Sequence, residues 1–263
     1  MTPLHRRLFD AHFHIIDGRF PLVANQGYLP PAFTCEAYLE RMSDGRLAGG
    51  AIVSGSFHAY DQGYLLDALK RLGERFVGVT QLPASVSDRQ LFALDAAGVR
   101  AVRFNLKRGG SEDSAHLDRL ARRVFELVGW HVELYVDARD LDALYATLSV
   151  LPAVSIDHLG LSREGLATLL ALAERGVRVK ATGFGRVDFD VKAALRDLYA
   201  ASPAALMFGT DLPSTHAPRP YADADVDLIG EALGADAAHQ VLYQNAVDFY
   251  RPRTAANHPG DTP

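Results

Sequence analysis

The chain has 263 residues, is 48% hydrophobic, and carries a formal net charge of −5 with a single cysteine. That length suits one α/β barrel, and the apolar content builds a core that a disordered chain lacks. The acidic balance and the lack of basic runs argue against a nucleic-acid partner, and the lone Cys35 rules out an internal disulfide or a cysteine-held metal cluster and reads as a buried thiol. The start of the sequence, Met1 to Arg7, has no apolar run behind its charges and does not read as a secretory signal. No stretch approaches about 20 apolar residues, so no membrane span is expected and a cytoplasmic protein is the default.

Strand-like runs rich in Val, Ile and Phe fall, in chain order, at Leu8–Ile16, Gly50–Gly55, Phe76–Leu82, Ala101–Leu106, Val132–Asp137, Val154–His158, Val177–Thr182 and Ala205–Asp211. Between them, Tyr64–Leu72, Leu117–Val128 and Leu166–Leu172 repeat apolar residues at three- and four-residue steps, as amphipathic helices do. Ser87 is placed to cap a helix running to Ala97, and Ser162 to cap one starting near Arg163. Gly73, Gly98, Gly129 and Gly176 stand where left-handed helix ends are expected. Eight strands alternating with helices predict a TIM (β/α)8 barrel in a single domain over residues 1–250, with 251–263 a disordered tail. An open doubly wound sheet is disfavoured because His12 to Asp17 stand where its glycine-rich phosphate loop would be.

In such a barrel the chemistry sits at the carboxyl ends of the strands. His12 and His14 are two residues apart in Asp10-Ala11-His12-Phe13-His14, so a strand aims both to one side. Later strand ends bring Arg103 and Asn105, Glu133 and Tyr135, Asp157 and His158, Lys180 and Thr182, and Asp211, with His216 in the loop beyond. Three histidines and an aspartate at one barrel end suit a metal site or a water-activating site. Glu133 and Lys180 suit an internal ion pair equally well. Arg19, Arg108, Arg186 and Arg219 lie in strand-following loops and favour an anionic substrate where they face the site. No Gly-x-Ser-x-Gly elbow or His-Glu-x-x-His helix is present.

Four segments in this order, Asp10–His14, Gly98–Asn105, Ile156–Gly160 and Phe208–Pro213, together with Trp130–Leu134, resemble the amidohydrolase-2 branch of the amidohydrolase superfamily over about Leu8 to Tyr250. The likeness is strongest to its lactonase group, around pyrone-dicarboxylate and sugar lactonases. The resemblance implies a TIM barrel and hydrolysis of a lactone or related carboxylic ester of a small, anionic or sugar-derived molecule. It places the reacting centre on His12, His14, His158 and Asp211 and a substrate contact on Arg103; the positions of Asn105, Tyr135, Lys180 and His216 at strand ends and the loop beyond make them further expected substrate contacts. Members of the branch work with or without metal, so either one divalent ion, zinc first, on His12, His14 and Asp211, or a metal-free site is implied. Tyr135 stands where many members have a histidine or modified lysine, which argues against two metals.

The expected mechanism has Asp211 as general base and the three histidines stabilising the oxyanion, directly or through one metal ion. Arg103 is expected to grip a substrate carboxylate with its fork of donors. The alternatives are a metal-dependent decarboxylase of an unsaturated or aromatic acid and a non-catalytic binder of small carboxylates.

Overall fold

The structure is a computed structural model that describes residues 7–253. Eight parallel strands pair in sequential order: β1 (Leu8–Phe13), β2 (Leu47–Val53), β3 (Phe76–Thr80), β4 (Val99–Asn105), β5 (His131–Tyr135), β6 (Val154–Ile156), β7 (Arg178–Ala181) and β8 (Leu206–Phe208). Both faces of such strands are covered, which is why they read as continuous apolar runs. Helices α1 (Cys35–Arg41), α2 (Gly63–Leu72), α3 (Asp88–Ala96), α4 (Leu117–Val128), α5 (Leu141–Leu148), α6 (Leu166–Glu174), α7 (Val191–Ala201) and α8 (Ala224–Leu233) follow the successive strands. This is the TIM barrel. Beyond it, α9 (Ala235–His239) and α10 (Asn245–Tyr250) flank a π-helical turn.

Local signals explain the helix limits. In α4, Leu117, Leu120, Ala121 and Val124 form the buried stripe, and Gly129 ends the helix at φ +70 with its N–H bonded to Phe125 O at 2.8 Å. The other three expected end glycines also have positive φ. Ser87 caps α3 in a reciprocal box with Gln90. Ser162 does not cap α6. That helix starts at Leu166 after Gly165, where a Cβ would lie 2.1 Å from the Ala138 carbonyl. Only glycine fits that crossing. Cys35 is buried, and burial pushes its thiol up to about 11. Among the described residues no helix is long and apolar enough to cross a membrane. Of the tail expected over 251–263, residues 254–263 lie outside the described part.

Two features of β1 set up the site. Between its pairings Asp10↔Gly50 and Phe13↔Ile52 the strand carries one residue more than β2, a bulge. The extra residue puts Asp10 and Phe13 on one face, where both meet Tyr38 of α1. It leaves His12 and His14 turned inward. The second feature is the seam with β8. Asp211 N donates to His12 O and His14 N to Leu212 O, both at 2.7 Å. Asp10 braces the seam, accepting Thr210 N at 2.8 Å and Thr210 Oγ1 at 2.6 Å. Gly209 permits the approach, since a Cβ there would lie 2.6 Å from His12 N.

The barrel interior is divided. Phe9, Ala11, Ala51, Val53, Val77 and Val79 fill it from β1 to β3, with Tyr250 beneath. On the β4–β7 side it is ionic, with Arg103, Glu133, Asp157 and Lys180 all buried. Lys180 Nζ meets Glu133 Oε2 at 2.5 Å, and Arg103 Nη2 meets Asp157 Oδ2 at 2.7 Å. Two cations and two carboxylates neutralise one another, as buried charges require.

Candidate active site

At the carboxyl end of the strands, Asp211 Oδ1 lies 3.9 Å from Nε2 of each of His12, His14 and His158. That spacing is too long for direct hydrogen bonds and leaves the four atoms converging on one point. His12 Nε2 and Asp211 Oδ1 are buried without a hydrogen-bond partner. The backbone is bent to achieve this: His158 has φ +51 and Asp211 φ +61, left-handed values that non-glycine residues seldom adopt.

The far side of each group is anchored. Asp211 Oδ2 accepts Arg186 Nε at 2.7 Å. His158 Nδ1 pairs with Thr182 Oγ1 at 2.7 Å. His14 Nδ1 lies 2.8 Å from the Val53 carbonyl, which can only accept, so Nδ1 carries the proton and Nε2 turns a lone pair to the centre. Burial holds His14 down to about 3 and holds His12 and His158 well below the usual histidine range. The imidazoles are therefore neutral. A neutral His14 cannot donate to an oxyanion from Nε2, which corrects the expectation that all three histidines do so directly. Burial raises Asp211, and the Arg186 charge opposes the rise.

The pocket above this centre is open at its mouth. His14, His158, Asp211, Arg103, Asn105, Tyr135 and His216 all line it. Lys180 does not reach the pocket. It lies fully buried below, held by Glu133, so the ion pair accounts for it and a substrate contact does not. Arg103 lines the pocket but its fork is already taken. Nε and Nη2 bond Asp157 Oδ2, and Nη1 bonds the Ser54 carbonyl, leaving two of a guanidinium's five N–H groups. Of the loop arginines, Arg108 and Arg186 line the pocket. Arg19 and Arg219 face carboxylates instead, Asp17 and Asp67 for the first and Asp225 for the second. Phe57, in the loop after β2, lines the pocket without having been singled out. No charge or spacing marks it.

Two groups of donors can be weighed as metal sites. His12, His158 and Asp211 offer ligand atoms within 4.8 Å of one another, and His14 Nε2 stands at the same 3.9 Å from Asp211. Nitrogen and carboxylate donors with partnerless atoms fit one divalent ion. The other group, His12, Glu133 and Asp157, already surrounds the Lys180 ammonium and needs no further cation.

A parallel eight-stranded barrel with a His-x-His pair on its first strand, a histidine after the sixth and an aspartate after the eighth defines an amidohydrolase-type protein. The Amidohydrolase family profile matches residues 9–251, and the chain belongs to that family. It is 34% identical over 157 residues to a 2-pyrone-4,6-dicarboxylate hydrolase of Comamonas testosteroni, an alignment covering 57% of this chain and 51% of that one. The match thus spans about half the length of that relative. It is 29% identical over 225 residues to a 4-sulfomuconolactone hydrolase of Hydrogenophaga intermedia, covering 78% of this chain and 74% of that one. A solved structure from Agrobacterium tumefaciens superposes with a TM-score of 0.81 at 23% identity, over 94% of this chain and 96% of that one, a likeness of fold.

Proposed function

We propose that this protein is a hydrolase that opens the ring of a small anionic lactone. The observation that carries the reading is Asp211 Oδ1, buried and unpartnered amid three imidazole nitrogens on the floor of an arginine-lined pocket. The two lactone hydrolases among the relatives support the choice of substrate class.

Opening a lactone needs a nucleophilic water, a place for negative charge on the carbonyl oxygen, and a proton for the leaving alkoxide. Asp211 Oδ1 takes the proton from water as it adds to the carbonyl carbon. Imidazole N–H groups turned toward Asp211 hold the oxyanion. When the ring bond breaks, Asp211 returns the proton to the alkoxide, giving an alcohol and a carboxylic acid that releases its own proton to solvent. Arg186 keeps Asp211 oriented and, with Arg108 and the remaining N–H groups of Arg103, makes the pocket cationic for an anionic substrate. A divalent ion held by Asp211 and the histidines would act as a Lewis acid on the carbonyl.

A panel of dicarboxylated and sugar lactones, read by acid release and by mass, tests the reading. Uptake of one water by a lactone supports it. Carbon dioxide release from an unsaturated or aromatic acid instead identifies a decarboxylase, and binding without turnover a carboxylate binder. On the substrate found, Asp211→Asn should lower kcat by about 10²–10⁴ while the fold persists. Near-wild-type kcat in that variant removes Asp211 from the role of base.

A further inference from the structure

His12 and His14 are held by chemically opposite groups. His14 Nδ1 faces a carbonyl, which fixes the proton on Nδ1. His12 Nδ1 faces the Lys180 ammonium at 3.2 Å. An ammonium carries donors and no acceptor, so its hydrogen bond to Nδ1 requires a lone pair there and leaves the proton on Nε2. Two carboxylates also face this corner. Asp157 Oδ1 is 3.3 Å and Glu133 Oε1 3.8 Å from Nδ1. Asp157 Oδ1 competes for the same position, because a proton on Nδ1 could point at it. Yet that oxygen is left without a hydrogen bond, while Lys180 makes one to Nδ1 and is held in place by its ion pair with Glu133 Oε2.

We propose that Lys180 is a positioning residue that holds His12 in its Nε2–H form, so that the strand-one pair enters the pocket as one donor and one acceptor. His12 then offers an N–H to the developing oxyanion, and His14 offers a lone pair beside it. A divalent ion taken by His12 Nε2 together with His158 and Asp211 would need the other tautomer. The fully buried Lys180 acts only through His12, without touching substrate. The kinetic consequence rests on the lactone-opening reading above. The tautomer does not.

Protein labelled with ¹⁵N-histidine, studied by two-bond proton–nitrogen correlation, reports which ring nitrogen carries the proton. The His12 signal is identified by its loss in His12→Gln. The wild type is expected to show the proton on Nε2, and Lys180→Met to show it moved to Nδ1, toward Asp157. Should that variant not fold, Lys180→Met with Glu133→Gln removes one cation and one anion together and keeps the interior neutral. On a lactone that the wild type opens, loss of the His12 donor should lower kcat by about 10²–10³ with little change in KM. A wild-type His12 protonated on Nδ1, or an unchanged tautomer in the folded variant, overturns the proposal whether or not any lactone is turned over.

Discussion

Replacing Gly209 with alanine should damage fold and chemistry together. A Cβ at this position would sit 2.6 Å from His12 N, 2.7 Å from Thr182 Cγ2 and 3.0 Å from His12 Cβ. The first of these is backbone inside the β1–β8 seam, so no side-chain rotation relieves the contact. The seam must open by about 0.8 Å to restore an ordinary separation of 3.4 Å. Overpacking of this kind costs about 1–3 kcal/mol, and a backbone obstacle argues for the upper end. At roughly 2–4 °C per kcal/mol for a chain of this size, Tm should fall by roughly 6–12 °C. Asp211 follows Gly209 by two residues and His12 lies across the gap, so the same opening separates the base from the imidazoles. A shift of about 1 Å can cost 10²-fold in rate, so this opening should lower kcat by about ten- to a hundredfold. Thermal melting followed by circular dichroism reads the first effect, and turnover of an identified lactone the second. Gly18→Ala, where a Cβ meets nothing within 4 Å, serves as the control. A Gly209→Ala protein that melts with the wild type would show that the seam is not tight and that the reasoning about closure is wrong.

Arg186→Met should raise the Asp211 pKa further, because the guanidinium opposes the effect of burial. The acid limb of the kcat profile should then move to higher pH, and an unmoved limb separates Arg186 from the base. Acid should destabilise the fold. His14 and His58 are held down from 6.5 to about 3 by burial, so the stability they contribute is present above 6.5 and lost as pH falls toward about 3. His12, His131 and His158 act in the same direction. Glu133 and Asp10, raised by burial to about 7 and about 6, act oppositely, as does Asp211. With five groups against three, Tm at pH 5 should lie below Tm at pH 7, and the reverse order would refute the assignment of neutral buried histidines. Elemental analysis should find no more than a single divalent ion per chain, since the ammonium of Lys180 fills the second group of donors. Two tightly held ions would contradict that.

The barrel was legible because parallel strands covered on both faces keep their apolar character along the whole run, as in Val99 to Asn105. The candidate site was legible because polar residues at strand ends stand out against such runs, as His158 and Asp211 do. The facing of His12 and His14 was read from spacing alone. The bulge that also governs it, between Asp10 and Phe13, leaves no mark in residue identity. Through-space competition was legible only in part. Arg103 reads as a free fork until Asp157, 54 positions away, is seen to occupy it. Lys180 reads equally as a substrate contact or as the partner of Glu133, and the contact between the two decides it.

The divided interior of the barrel constrains how this sequence can change. Any single replacement among Arg103, Glu133, Asp157 and Lys180 strands a charge in a space that water does not reach. Losses of that kind run to about 3–5 kcal/mol, a large part of what holds a domain together. Paired replacements that remove one cation and one carboxylate avoid the penalty. A library randomised at these four positions should therefore return folded members chiefly as linked doubles, with Lys180 changing alongside Glu133 and Arg103 alongside Asp157. The β1–β3 side, filled by alanine, valine and phenylalanine, should accept its substitutions one at a time.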